Sequence, residues 1–185
     1  AAAQRVLSHD PQASLDAIAR EAGLSRRALY GHFPDRDALL REVIDLGAQR
    51  FNAIAESVGS DDARAAIAQL AADLWREAAS VQASAGIALD DAHVAGTVRA
   101  LAPLRARVRA IVDEGCASGA FRADIDPGLL AFLIEQTARA TLRALPAGTA
   151  DAASVVVRVV LSVCGLSWSE QAALLADHPE ILEES

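Results

Sequence analysis

The stretch Ser14-Leu-Asp-Ala-Ile-Ala-Arg-Glu-Ala-Gly-Leu-Ser-Arg-Arg-Ala-Leu-Tyr-Gly-His-Phe33 reads as two short helices joined by a tight glycine turn. Ser14 precedes an apolar series at helical spacing, Leu15, Ile18, Ala19 and Ala22, so its hydroxyl can cap a first turn whose positive end Asp16 favours. The first helix is therefore predicted over Leu15 to Ala22. Gly23 stands where a helix ends through a left-handed residue, Leu24 is expected to plug the space between the helices, and Ser25 is a natural cap for the second helix.

Successive residues of that second helix turn by about 100°, which stacks Leu29 and Phe33 as its buried stripe. Arg27, Ala28 and Gly31 then fall on the opposite face, and Tyr30 and His32 flank the stripe on its two sides. This is a helix-turn-helix pattern. Docked in a major groove it would offer Arg27, Ala28 and Gly31 to base edges, with Arg26 in the first turn reaching either bases or phosphates. Tyr30 and His32 would point sideways to phosphates, joined by the hydroxyls of Ser14 and Ser25. Taken alone, the pattern leaves a second reading equally open: a helical small-molecule-binding or scaffold protein whose headpiece contacts protein instead of DNA.

The segments Ile-Ala-Arg-Glu-Ala-Gly-Leu-Ser (18–25), Leu-Tyr-Gly-His-Phe (29–33) and Pro-Asp-Arg-Asp-Ala-Leu-Leu (34–40) closely resemble the TetR family of bacterial transcriptional regulators. The resemblance covers about the first fifth of the chain. It implies an all-α, two-fold dimer with a three-helix helix-turn-helix headpiece and a C-terminal helical bundle holding a small-molecule inducer. It also implies phosphate contacts by Tyr30, by His32 and by the basic residue opening the next helix, Arg36. The family usually has Lys there, so a compact ammonium is replaced by a planar fork. Arg27 and Ala28 also depart from the family's usual Gly or Pro followed by Thr or Ser, so base preference does not transfer from a relative. The family's first helix starts further upstream than Ala1, and an N-terminal arm adding phosphate or minor-groove contacts is expected before it.

A net charge of −8 looks unsuited to a polyanion partner, but it is unevenly spread. Residues 1–41 carry six Arg against five acids, net +1, so residues 42–185 carry −9. We accordingly expect a DNA-binding domain at 1–41 and a ligand-binding and dimerisation domain at 42–185. All 17 basic residues are Arg, which reads as a GC-rich coding background. Cys116 and Cys164 are far apart with no Cys or His at ligand spacing, which points to buried, reduced thiols in a cytoplasmic protein. No metal and no cofactor are expected, since His9, His32, His93 and His178 share no ligand spacing. No uninterrupted apolar run is long enough to suggest a membrane span, and no nucleophile–base arrangement sits in a catalytic context, so no enzyme is expected.

Beyond Phe33 the pattern stays helical. Asp35 caps a helix running to about Val58, a lever on the order of 36 Å long. Helices are predicted at Ala63–Ser80, Val98–Cys116, Pro127–Leu145, Asp151–Leu166 and Ser169–Ala176, with a shorter irregular piece over 85–94. The loop Gly119-Ala-Phe-Arg-Ala-Asp-Ile-Asp-Pro127 resembles the one before the family's dimer helices. Leu129, Phe132 and Leu133 on one following helix, with Val155, Val156, Val159, Val160 and Val163 on the next, are either intramolecular core or a two-fold interface. The resemblance favours the interface, and a dimer would set two recognition helices about 34–36 Å apart across a palindromic operator. Candidate ligand-pocket residues are Trp75, His93, Arg105, Gln136 and Trp168, large or polar groups able to orient a small molecule. Core or surface roles compete at each of them.

Overall fold

The computed structural model describes residues 3, 6, 7, 10, 12–80, 94–145, 149 and 151–183. The expected irregular piece over 85–94 and the candidate His93 lie outside them, apart from residue 94 itself. The described residues form an all-α protein. Its helices are α1 (Leu15–Glu21), α2 (Arg26–His32), α3 (Arg36–Ser57), α4 (Ala63–Ser80), α5 (Val94–Ala100), α6 (Ala102–Ser118), α7 (Pro127–Ala144), α8 (Ala152–Val163) and α9 (Trp168–Asp177), closed by a 3-10 turn at Pro179–Ile181.

The chain divides into two compact units. The first contains residues 1–50 and 80–102, and the second residues 51–79 and 103–185, so α3 contributes to both. In the first unit Leu7, Leu15, Ile18, Ala19, Leu29, Leu39, Leu40 and Val43 bury one another, with Phe33 packed partly against them. In the second, Ala-rich α4 lies in a core with Ile111 and Val112 of α6, Leu130 and Ile134 of α7, and Val156, Val157, Val160 and Leu161 of α8. Small alanines on α4 permit close approach of the helices around it.

Sequence chemistry sets most helix ends. Asp126 accepts from the backbone N–H groups of Gly128 (2.8 Å) and Leu129 (3.1 Å), with Pro127 as the first residue of α7. Ser167 and Glu170 form a reciprocal capping box on α9. One expectation fails: the helix predicted over Val98–Cys116 is two helices. Pro103 has no N–H to donate to the Arg99 carbonyl and would press its ring against it, so α5 ends at Ala100 and the proline enters the first turn of α6.

Gly115 on α6 shows how closely the second unit is packed. A Cβ there would run into the ring of Phe121, which is 4% exposed, and the Phe121 N–H donates to the Gly115 carbonyl at 2.9 Å. Gly115→Ala is therefore expected to destabilise the protein by about 1–3 kcal/mol through overpacking, despite alanine's better helix propensity. Urea unfolding followed by far-UV circular dichroism measures it, and an unchanged midpoint would contradict the packing argument.

Candidate nucleic-acid interface

The Ser14 hydroxyl accepts from the Ala17 N–H at 3.3 Å and starts α1, whose Leu15, Ile18 and Ala19 are buried. At the far end Gly23 has φ 66°, the Gly23 N–H donates to the Arg20 carbonyl (3.1 Å) and the Leu24 N–H to the Ala19 carbonyl (2.9 Å). This pair of bonds is a Schellman closure and satisfies carbonyls that α1 would otherwise leave open. Leu24 does not plug the space between the helices as expected. It is 44% exposed, because the closure uses its backbone while Ile18, Ala19 and Leu29 already fill the interior.

Ser25 then accepts from the Ala28 N–H at 3.2 Å and opens α2. Leu29 is the buried residue of this helix, while Phe33 lies just past its end, partly buried, with its N–H on the Leu29 carbonyl at 2.9 Å. Arg26, Arg27, Ala28, Tyr30, Gly31 and His32 are all exposed. A Cβ on Gly31 would meet nothing within 4 Å, so no packing among the described residues demands glycine there. The capping hydroxyls of Ser14 and Ser25 act as acceptors toward the backbone, which leaves each O–H proton free to donate outward.

The cations differ in their engagement. Arg26 gives Nε–H to Asp16 Oδ1 and Nη2–H to Asp16 Oδ2, a bidentate pair across the turn that raises the Arg26 pKa. Arg27 has no hydrogen-bond or ion-pair partner among the described residues. Arg36 opens α3 and donates Nε–H to the Ala13 carbonyl at 3.2 Å, bracing the start of α3 against the residue before the α1 cap. Asp35 caps α3 as expected, accepting from Ala38 N–H at 2.7 Å. The Asp16–Arg26 pair escaped the sequence reading; opposite charges ten residues apart meet only because of the angle the Gly23 turn imposes.

The described ligand-pocket candidates have different surroundings. Trp75 packs partly against the core of the second unit, Arg105 pairs with Glu135 at 2.8 Å, Gln136 is exposed and Trp168 is 80% exposed. Trp168 is the first residue of α9, where the Ser167 cap leaves its side chain outside the bundle. A groove of about 450 Å³ is lined by Leu133 and Thr137 of α7, Val159, Ser162 and Val163 of α8, and Arg122 and Ile125. Of the predicted interface residues, Leu129 and Phe132 (48% each), Val155 (38%) and Leu133 (36%) are exposed, and Val159 and Val163 are half-buried. Val156 and Val160 are instead buried in the chain's own core, because they lie on the α8 face turned to α4, α6 and α7 core residues. Cys164 is buried and its thiol pushed up to about 12 by desolvation, whereas Cys116 is only half-buried, against the expectation of two buried thiols. No metal-binding cluster occurs among the described residues, and none of their helices is long and apolar enough to cross a membrane.

Residues 1–43 match the family model described as bacterial regulatory proteins, tetR family. The whole fold is similar to the TetR family transcriptional regulator PfmR of Thermus thermophilus, with TM-score 0.75, 20% identity, and 89% of this chain and 95% of that one covered. It is also similar to AmtR of Mycobacterium smegmatis (TM-score 0.71, 18% identity, 97% and 91% covered). RolR in complex with resorcinol is a third such structure (TM-score 0.71, 21% identity, 99% and 92% covered). At these identities the likeness is one of fold. No curated protein matches the chain.

The anchor and the display face predict opposite mutational outcomes. Leu29→Ala should cost about 2–5 kcal/mol by leaving a cavity in the first unit, whereas Arg27→Ala should change stability by less than about 0.5 kcal/mol. Thermal unfolding of the two variants checks this, and a large loss for Arg27→Ala would mean that its side chain serves the fold.

Proposed function

We propose that this chain, whose residues 1–43 match the tetR family of bacterial regulatory proteins, is a sequence-specific DNA-binding transcription regulator. One observation carries the reading. The short α2 is anchored by Leu29, with Phe33 partly buried at its end, and turns Arg26, Arg27, Ala28 and Gly31 outward, between Tyr30 and His32. Helical display of donors beside hydroxyl and imidazole groups suits a major groove bounded by phosphates. We assign the DNA-binding domain to residues 1–41 and the ligand-binding and dimerisation domain to 42–185. Arg27 reads bases; Ser14, Ser25, Tyr30, His32 and Arg36 hold the backbone.

The regulator works as a homodimer on a palindromic operator. Leu129, Phe132, Leu133 and Val155 form the exposed apolar face that a second copy covers, with Val159 and Val163 at its margin. Release by a small molecule would follow if the effector favours a dimer state whose two headpieces no longer match successive grooves. Support for an effector is the fold shared with RolR, solved with resorcinol. We assign repression to operator occupancy that excludes polymerase.

Selection of duplexes from a random pool, followed by anisotropy titration, tests the function. Binding should weaken steeply with salt through counterion release; salt-insensitive capture would favour a protein partner for the headpiece. Arg27→Ala should cost about 1–3 kcal/mol and relax preference at one base pair, while Tyr30→Phe should weaken all sequences alike.

The dimer has its own test. Phe132→Asp should convert a dimer to a monomer at micromolar concentration in analytical ultracentrifugation, since a charge buried without a partner is costly. A monomeric wild type under the same conditions would remove the two-fold arrangement.

A further inference from the structure

Asp16 stands on α1, not on the recognition helix, and has no place among the DNA-contacting residues named so far. It is nonetheless the residue that determines where the Arg26 guanidinium lies. Its two carboxylate oxygens take Nε–H and one Nη2–H, one complete edge of the planar fork. The edge formed by Nη1 and the remaining Nη2–H is not used by Asp16, and the side chain is 72% exposed. Tyr30, one turn along α2, also lies beside the guanidinium.

An exposed ion pair contributes little to stability, so its consequence is conformational. A free arginine must give up its rotamer freedom when it docks on a base, whereas one already held at its inner edge has lost that freedom beforehand. The edge that Asp16 does not use has the donor geometry that guanine O6 and N7 accept together. Arg27 has no comparable brace among the described residues, and its ordering is deferred to the moment of binding. Asp16 also places a negative charge near the phosphates, which penalises any duplex that does not return a base contact through Arg26.

We propose that Asp16 is a positioning residue that holds Arg26 to read one guanine in each half-site, trading general affinity for discrimination. The inference rests on the DNA-binding reading above, and adds to it a braced reader beside Arg27.

The test uses duplexes enriched by the full chain, titrated by fluorescence anisotropy with every half-site base pair substituted in turn. Arg26→Ala should abolish a G·C preference at one position. Asp16→Ala should reduce that same preference about tenfold, while binding to random-sequence duplex holds or strengthens. It should add nothing in an Arg26→Ala background. Loss of fold would lower both specific and random binding, so opposite signs separate positioning from structural damage. Asp16→Asn, which keeps the shape and one acceptor oxygen, should fall between and decides the matter if the alanine variant unfolds. An Asp16→Asn or Asp16→Ala protein that folds and keeps the full preference overturns the proposal and leaves the DNA-binding reading intact. Failure of the wild type to enrich any sequence overturns both.

Discussion

Burial of Leu29 against Leu15, Ile18, Leu39, Leu40 and Val43 is the contact on which the functional surface depends. A helix of seven residues is too short to persist in water on its own. Its stability and its rotation about its own axis come from Leu29, from Phe33 partly buried at its end, from the Ser25 cap and from the turn that delivers it. Once Leu29 is fixed inward, the helical step fixes which residues face out. The identity of those residues then decides what the surface can bind.

Electrostatics refines this picture. The outer face of α2 carries two adjacent arginines, but they are different chemical objects. Arg26 is paired with Asp16 through both carboxylate oxygens; Arg27 has no hydrogen-bond or ion-pair partner among the described residues. Arg36 donates to the Ala13 carbonyl, which braces the start of α3. A chain carrying −8 overall can still present local positive potential, because the field within a few ångströms of a groove is set by its nearest charges. The bulk of the acidic excess lies beyond residue 41.

Legibility in the sequence followed the range of the interaction. Caps and closures act within five residues, so Ser14, Gly23, Ser25, Asp35 and Asp126 announced their helix ends correctly. Leu29 was legible for the same reason, since it needed only helical phase. Pro103 was just as local a signal, and the apolar pattern running through it masked the break it imposes. Leu24 and the Asp16–Arg26 pair were not legible, because both depend on the angle between two helices and on which apolar groups reach the interior first. Trp168 shows the limit of residue type as a guide: a large indole implies burial by composition, yet the capping box on α9 places it in solvent.

The α8 helix was ambiguous for a deeper reason. Ala-Ala-Ser-Val-Val-Val-Arg-Val-Val-Leu-Ser-Val (152–163) is apolar around most of its circumference, and a helix with that pattern needs cover on more than one side. The chain itself supplies one side: Val156, Val157, Val160 and Leu161 are all under 5% exposed. It leaves Val155 exposed on α8, as Leu129, Phe132 and Leu133 are exposed on the α7 that packs against it. Core and interface were posed as alternatives from sequence; Val156 and Val160 of α8 are core, and its exposed Val155 is left to the proposed interface. The valines at 156 and 160 hold α8 in place, and in doing so they set the phase that directs Val155 outward. An interface built this way inherits its rigidity from the core behind it, which is what a dimer must have if the distance between two headpieces is to carry information.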